Sequence, residues 1–144
     1  MRSHTVADVF RPSRSGPAAV LGPLEGEIME VIWAEGRALS VGEVQQALRD
    51  RGRPLSDSAV RAVLNNLEGK GRLTKTREGK LSFFAATASR ETFEARIVST
   101  VVDSLKRNFG TMAIAELVDR LAVDEETVAE FERRLAQRRS ELKA

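Results

Sequence analysis

Arg61 and Asn65 stand four residues apart, and Lys75, Arg77 and Lys80 follow them closely. An arginine fork can bind a guanine edge through two hydrogen bonds, an asparagine amide can do the same for adenine, and spaced cations neutralise phosphates. Such chemistry needs the first two residues on one helix face and the three cations on an element that can follow a polyanion.

The sequence around them supplies both elements. Val60, Val63, Leu64 and Leu67 recur at i, i+3, i+4 and i+7, the stripe of a helix whose apolar side meets a core. The opposite face carries Ser58, Ala62, Asn65 and Gly69, with Arg61 and Asn66 on its flanks. It holds no acid and nothing bulky, so it can enter a major groove about 12 Å wide. A solvated face on an ordinary core helix would show the same period.

Gly69 and Gly71 mark the helix end, where positive φ is common, and Lys70 complements the negative end of the dipole. Residues 72–77 and 80–84 then flank a turn at Glu78-Gly79 and predict a hairpin. With Lys75, Arg77 and Lys80 near its tip, the hairpin suits a wing lying along phosphates. The other reading is a solvated hairpin whose lysines discourage edge pairing.

Upstream, Leu24, Ile28, Val31 and Ile32 predict a helix from Pro23 to Ala34 that stops at Gly36. Ser40 and Glu43 have the spacing of a capping box and open a second helix bearing Val41, Val44 and Leu48. Trp33 falls between core positions and is read as packing. Downstream, Phe93, Ile97, Val101 and Leu105 repeat every four residues. Leu117 and Leu121 belong to a second apolar group, and Val128, Phe131 and Leu135 to a third that follows a cap at Asp124. Helices too few to enclose a core bury their faces most economically against a second copy. A two-fold dimer is therefore expected, with folding back onto the same chain as the alternative.

The expected fold is mainly α with a small β-hairpin. A flexible leader (1–22) precedes a winged helix-turn-helix domain (23–88) and a helical C-terminal dimerisation segment (89–144). The candidate DNA contacts are Ser40, Ser56, Ser58, Arg61, Ala62, Asn65, Asn66, Lys75, Arg77 and Lys80, of which Arg61 and Asn65 are expected to touch bases. Charge supports this placement. Residues 53–80 hold seven Lys or Arg against three acids, whereas from Ser89 onward ten basic residues face eleven acidic ones.

The chain has no cysteine, and its single histidine, His4, stands alone in the leader. There is no Gly-rich phosphate loop, and the carboxylates fall at helix ends or on solvated faces, so no catalytic activity, cofactor or metal is expected. The absence of cysteine fits a cytoplasmic protein, and no apolar run approaches the roughly 20 residues of a membrane span.

With these residues in view, the chain resembles the penicillinase-repressor (BlaI/MecI) family of bacterial winged-helix regulators from about Leu21 to Phe109. Leu24, Glu27, Ile28, Met29, Val31, Ile32 and Trp33 match the family's opening pattern, and AVRAVLNNLEGKGRL and EGKLSFFAATASRETF continue the likeness. The resemblance implies a homodimeric repressor on a dyad-symmetric operator, released when a membrane sensor protease responds to a β-lactam or to cell-wall stress. It also implies a possible cleavage site at Asn108-Phe109, since staphylococcal members carry a cut Asn-Phe bond near this point. The chain departs from the family at Ala59 and Ala62, where threonines are common, and at Asn66, where an arginine is. Ser82, Phe84 and Ala86 replace the wing's usual tyrosine, tyrosine and proline, so the operator is expected to differ. The missing cysteines argue against the family's copper-responsive branch. A winged helix serving as a protein-interaction or scaffold module is the rival reading, and it would lack steep salt dependence on DNA.

Overall fold

The computed structural model describes Pro17 and residues 21–144. The expectations for His4 and most of the leader lie outside the described residues. In chain order the elements are α1 (Pro23–Glu35), β1 (Leu39–Ser40), α2 (Val41–Asp50), α3 (Asp57–Gly69), β2 (Leu73–Glu78), β3 (Leu81–Ala86), α4 (Arg90–Phe109), α5 (Thr111–Leu121) and α6 (Glu125–Lys143). The fold is mainly helical with a small antiparallel sheet, the winged-helix arrangement expected.

Local chemistry sets the helix ends. Pro23 opens α1, where its missing N–H costs nothing, and Gly36 closes it in the left-handed conformation at φ 65°. Ser40 and Glu43 form the expected capping box: the serine Oγ accepts from the Glu43 N–H at 3.2 Å, and the carboxylate accepts from the Ser40 N–H at 3.1 Å. Ser56 caps α3 by accepting from the Ala59 N–H at 3.2 Å. Of the two glycines expected to end α3, Gly69 is its last residue and Gly71 supplies the positive φ.

Three expectations change. The hairpin belongs to a three-stranded sheet of order β1-β3-β2, because Leu39 and Ser40 pair with Phe84 and Phe83. A two-residue strand is too short to show a period. The turn is Gly79-Lys80, one residue later than expected, since Glu78 still pairs with Leu81. Gly79 has φ 63° and Lys80 does not turn left-handed, as suits a hairpin turn with glycine first. Leu21, assigned to the flexible leader, is buried in the core.

That core takes Ile28, Val31 and Ile32 from α1, Val41, Val44 and Leu48 from α2, and Val60, Leu64 and Leu67 from α3. Leu39, Leu73 and Phe84 join from the sheet, and Phe93 and Ile97 from α4. Met29, off the expected stripe, is buried as well, because α1 packs against α2, α3 and β3 and needs a wider apolar face.

The chain divides into two compact units at Val101/Val102, so the winged unit reaches past residue 88 into α4. In the second unit, Asp124 and Thr127 form a capping box on α6, and Gly110 precedes α5 as its N-cap at φ 59°. Among the described residues of this unit Ala113 is the only buried apolar side chain. Phe109 and Leu135 are 59% and 62% exposed.

The α2 cap gives a stability prediction. Ser40→Ala should cost about 1 kcal/mol, read by thermal or urea unfolding. The Arg37 hydrogen bond, then that of the Ser40 N–H, holds the Glu43 carboxyl below its ordinary value. With the folded-state pKa depressed, this stabilisation is present above the unfolded value of about 4.3 and is lost as pH falls through the folded one. Glu43→Gln should therefore lower Tm at neutral pH, and its gap to wild type should close as pH drops below about 4. A gap that stays constant with pH would show that the carboxylate's charge contributes nothing.

Candidate nucleic-acid interface

Burial of Val60, Leu64 and Leu67 orients α3 and leaves Ser58, Arg61, Ala62, Asn65, Asn66 and Gly69 in solvent. Val63 is half-buried against the core. Ser58 and Ser56 join hydroxyls at 3.2 Å. The serine caps at Ser40 and Ser56 use an oxygen lone pair, so neither cap consumes the hydroxyl proton, which at Ser56 is shared with the Ser58 contact.

The sheet register adds the second part of the surface. Leu73, Lys75 and Arg77 lie opposite Ala86, Phe84 and Ser82, and residues of one parity share a face. The face that buries Leu73 and Phe84 thus continues toward the tip as Lys75 and Arg77, with Lys80 in the turn. Glu78 alternates to the other face with Thr74 and Thr76. The Lys75 ammonium reaches α3, donating to Asn65 Oδ1 at 3.3 Å, and stands 5.7 Å from the centre of the Phe84 ring. Wing and helix therefore form one continuous surface.

The cations are not equally available. Arg53 pairs with Glu27 at 3.0 Å. Lys70 pairs with Glu25 at 2.9 Å, and the same carboxylate oxygen accepts from Asn66 Nδ2 at 2.8 Å. Arg61 turns back to Asp57 at 3.1 Å. That exposed i,i+4 pair is worth only about 0.3–0.5 kcal/mol, so a base or phosphate can displace it. Arg72 is half-buried with its guanidinium 4.8 Å above the Phe93 ring, and its Nε has no hydrogen-bond partner among the described residues. Burial pushes its pKa down from the usual arginine value, with Glu25 opposing. Arg77 and Lys80 have no ion-pair partner within 4 Å among the described residues. Of the seven cations counted along the sequence, Arg77 and Lys80 on the hairpin are exposed with no carboxylate against them, and Lys75 is met by the Asn65 amide instead of an acid. The counting window missed Glu25 and Glu27 because they come from α1. Glu25 is also a neighbour of the candidate site that sequence reasoning overlooked.

Trp33 packs as expected. Its indole N–H donates to the Ala88 carbonyl at 3.0 Å, and its ring lies 5.5 Å from that of Phe93. A cleft of about 540 Å³ lies beside it, bordered by Arg37, Arg51, Ala86 and Arg90. Among the described residues no cluster of His, Cys, Asp or Glu could hold a metal, and no helix is long and apolar enough to cross a membrane.

The residues expected to support a dimer divide into two groups. Phe93 and Ile97 are buried in the chain's own winged unit, and Val101 packs against it, so that part of α4 is occupied. Leu105, Leu117, Val128 and Phe131 are half-buried, and Leu121 and Leu135 exposed. Leu105, Phe109, Met112, Leu117 and Leu121 line an apolar groove of about 270 Å³. Asn108 and Phe109 are exposed in the last turn of α4, where Asn108 Nδ2 donates to Ser104 Oγ at 3.2 Å.

Residues 21–137 match the family described as penicillinase repressor. No curated protein matches the sequence. Among solved structures, H. salinarum RosR grown from NaBr is 19% identical with TM-score 0.45, over 85% of this chain and 97% of that one. MepR, a transcription regulator of the Staphylococcus aureus multidrug efflux pump MepA, is 18% identical with TM-score 0.44, over 85% and 80%. A MarR family protein from Bacillus stearothermophilus is 17% identical with TM-score 0.43, over 86% and 76%.

The uneven availability of the cations separates two variants. Arg72→Gln should lose about 0.5–2 kcal/mol of stability with the salt slope of duplex binding unchanged, whereas Lys80→Ala should keep Tm and reduce that slope. Melting curves and binding across a salt series read both, and the reverse pattern would make Arg72 the phosphate contact.

Proposed function

The chain belongs to the penicillinase repressor family, and we propose that it acts as a homodimer on a dyad-symmetric operator and is released by a β-lactam or cell-wall stress signal. It is a DNA-binding transcriptional repressor by family. The observation that carries the finer reading is the continuous surface formed by α3 and the inner face of the hairpin, polar on the helix and cationic on the wing. In this reading α3 lies in the major groove and Arg61 exchanges Asp57 for a guanine or a phosphate. Arg77 and Lys80 track the backbone and hold the helix in register.

The exposed apolar residues of the second unit support pairing with a second copy. Phe109, Met112, Ile114, Val118, Leu121 and Leu135 are all exposed in one chain, and Phe109, Met112 and Leu121 line one apolar groove that a second copy could cover. A two-fold pair would place two α3 helices about 34 Å apart, or a multiple of that, on a palindromic operator. The protein would act in the cytoplasm, with a membrane sensor protease as the partner in release. Cleavage at Asn108-Phe109 would require the last turn of α4 to unwind first, because both residues are helical.

Fluorescence anisotropy against labelled fragments of the DNA upstream of the chain's own gene, across a salt series, tests this reading. One fragment should bind at nanomolar affinity, with dimer stoichiometry and a steep fall with salt. Binding no tighter than to random DNA, with a shallow slope, would favour the protein-interaction module. On the bound fragment, Arg61→Ala should cost about 1–3 kcal/mol at one base position. A uniform loss over all sequences would reduce Arg61 to a phosphate contact. Leu121→Glu combined with Leu135→Glu should convert the dimer to monomer in sedimentation and weaken operator binding with it. A dimer that persists would place the interface elsewhere.

A further inference from the structure

Building on the DNA-binding reading, we infer that Lys75 and Glu25 are positioning residues that fix the amides of Asn65 and Asn66 in opposite senses. Asn65 presents hydrogen-bond donors to the groove, and Asn66 presents an acceptor.

The polarity follows from what each partner can do. The Lys75 ammonium lies 3.3 Å from the Asn65 side chain. An ammonium has three donors and no lone pair, so the amide atom facing it must be oxygen. Lys75 is itself held in place. It stands directly across from Phe84 in the β2/β3 register, with its nitrogen 5.7 Å from the centre of that ring, within cation–π range. Phe84 is fully buried, so this platform is rigid. The Nδ2 of Asn65, with two protons, is left for a ligand.

Asn66 is set the other way. Its Nδ2 donates to Glu25 Oε1 at 2.8 Å, and an ionised carboxylate only accepts. The same oxygen takes the Lys70 ammonium at 2.9 Å, and the Glu25 side chain is only 14% exposed, which holds the acceptor in place. Asn66 therefore turns Oδ1 outward.

Base preference changes accordingly. An unconstrained asparagine pairs with adenine by using both ends of its amide, accepting from N6 and donating to N7. Lys75 takes one of the two lone pairs on the Asn65 oxygen, and its charge disfavours bringing the partly positive adenine amino group to the other. What remains is a pair of donors, which suits the N7 and O6 acceptors of guanine and, with one bond, O4 of thymine. The acceptor of Asn66 suits the amino group of adenine or cytosine. The adenine preference expected from residue type alone at position 65 gives way to guanine.

Selection from a randomised duplex library by the full chain tests this, comparing wild type with N65A, K75R and K75M. One position of the wild-type site should lose its preference in N65A and carry guanine over adenine by about tenfold or more in wild type. K75R, whose guanidinium also only donates, should retain guanine. K75M should admit adenine, because the amide is then free to rotate. A purely structural role for Lys75 would change overall affinity and leave base identity alone. Adenine at the Asn65-dependent position in wild type overturns the inference. So does an unchanged guanine preference in K75M, or the absence of any position lost in N65A. Failure of the wild type to enrich any duplex overturns the DNA-binding reading itself, an outcome distinct from these three.

Discussion

Val60, Leu64 and Leu67 are fully buried against the helices and the sheet, and a helix turns once every 3.6 residues. Their burial leaves α3 a single outward face. Whole-side-chain burial of such residues contributes about 1.5–3 kcal/mol each, so rotating α3 to show another face would cost several kcal/mol. No surface ion pair can oppose that. Arg61 to Asp57 and Lys70 to Glu25 decide where long side chains rest on a face already chosen. The wing depends on the same core, because Leu73 and Phe84 anchor the strands on which Lys75 and Arg77 ride.

Electrostatics then divides the basic residues into those held by partners and those left exposed. Arg53 and Lys70 meet Glu27 and Glu25 from α1, and Arg72 is drawn down over Phe93. These cations brace the unit. The hairpin leaves Arg77 and Lys80 exposed without a carboxylate, while Lys75 rests against Asn65 and the Phe84 ring. The positive field is therefore narrower than a count of residues along the chain suggests, and it is aimed from one side of α3.

The two units treat their apolar residues differently. The first encloses Phe93 and Ile97 in its own core, whereas the second leaves Leu121, Leu135 and Phe109 in solvent. Two and a half helices present too little opposing surface to bury their own stripes. The same four-residue repeat along α4 thus changes role partway, from intramolecular packing at Phe93 and Ile97 to exposed surface beyond Val101.

By itself the sequence determined the features that depend on near neighbours. These were the α3 stripe, the Ser40 and Glu43 capping box, the Asp124 cap, the hairpin and the solvent-facing side of α3 that carries Arg61 and Asn65. Each rests on periodicity, on a turn residue or on groups within a few positions of one another. Tertiary structure alone decided what depends on distant neighbours. Leu39 and Ser40 became a third strand because β3 passed beside them. Glu25 came to hold Asn66 and Lys70, Lys75 met Asn65, and Phe93 and Ile97 went to the winged unit's core. A side chain's partner across a long loop is chosen by packing geometry, and local sequence has no means to encode it one residue at a time.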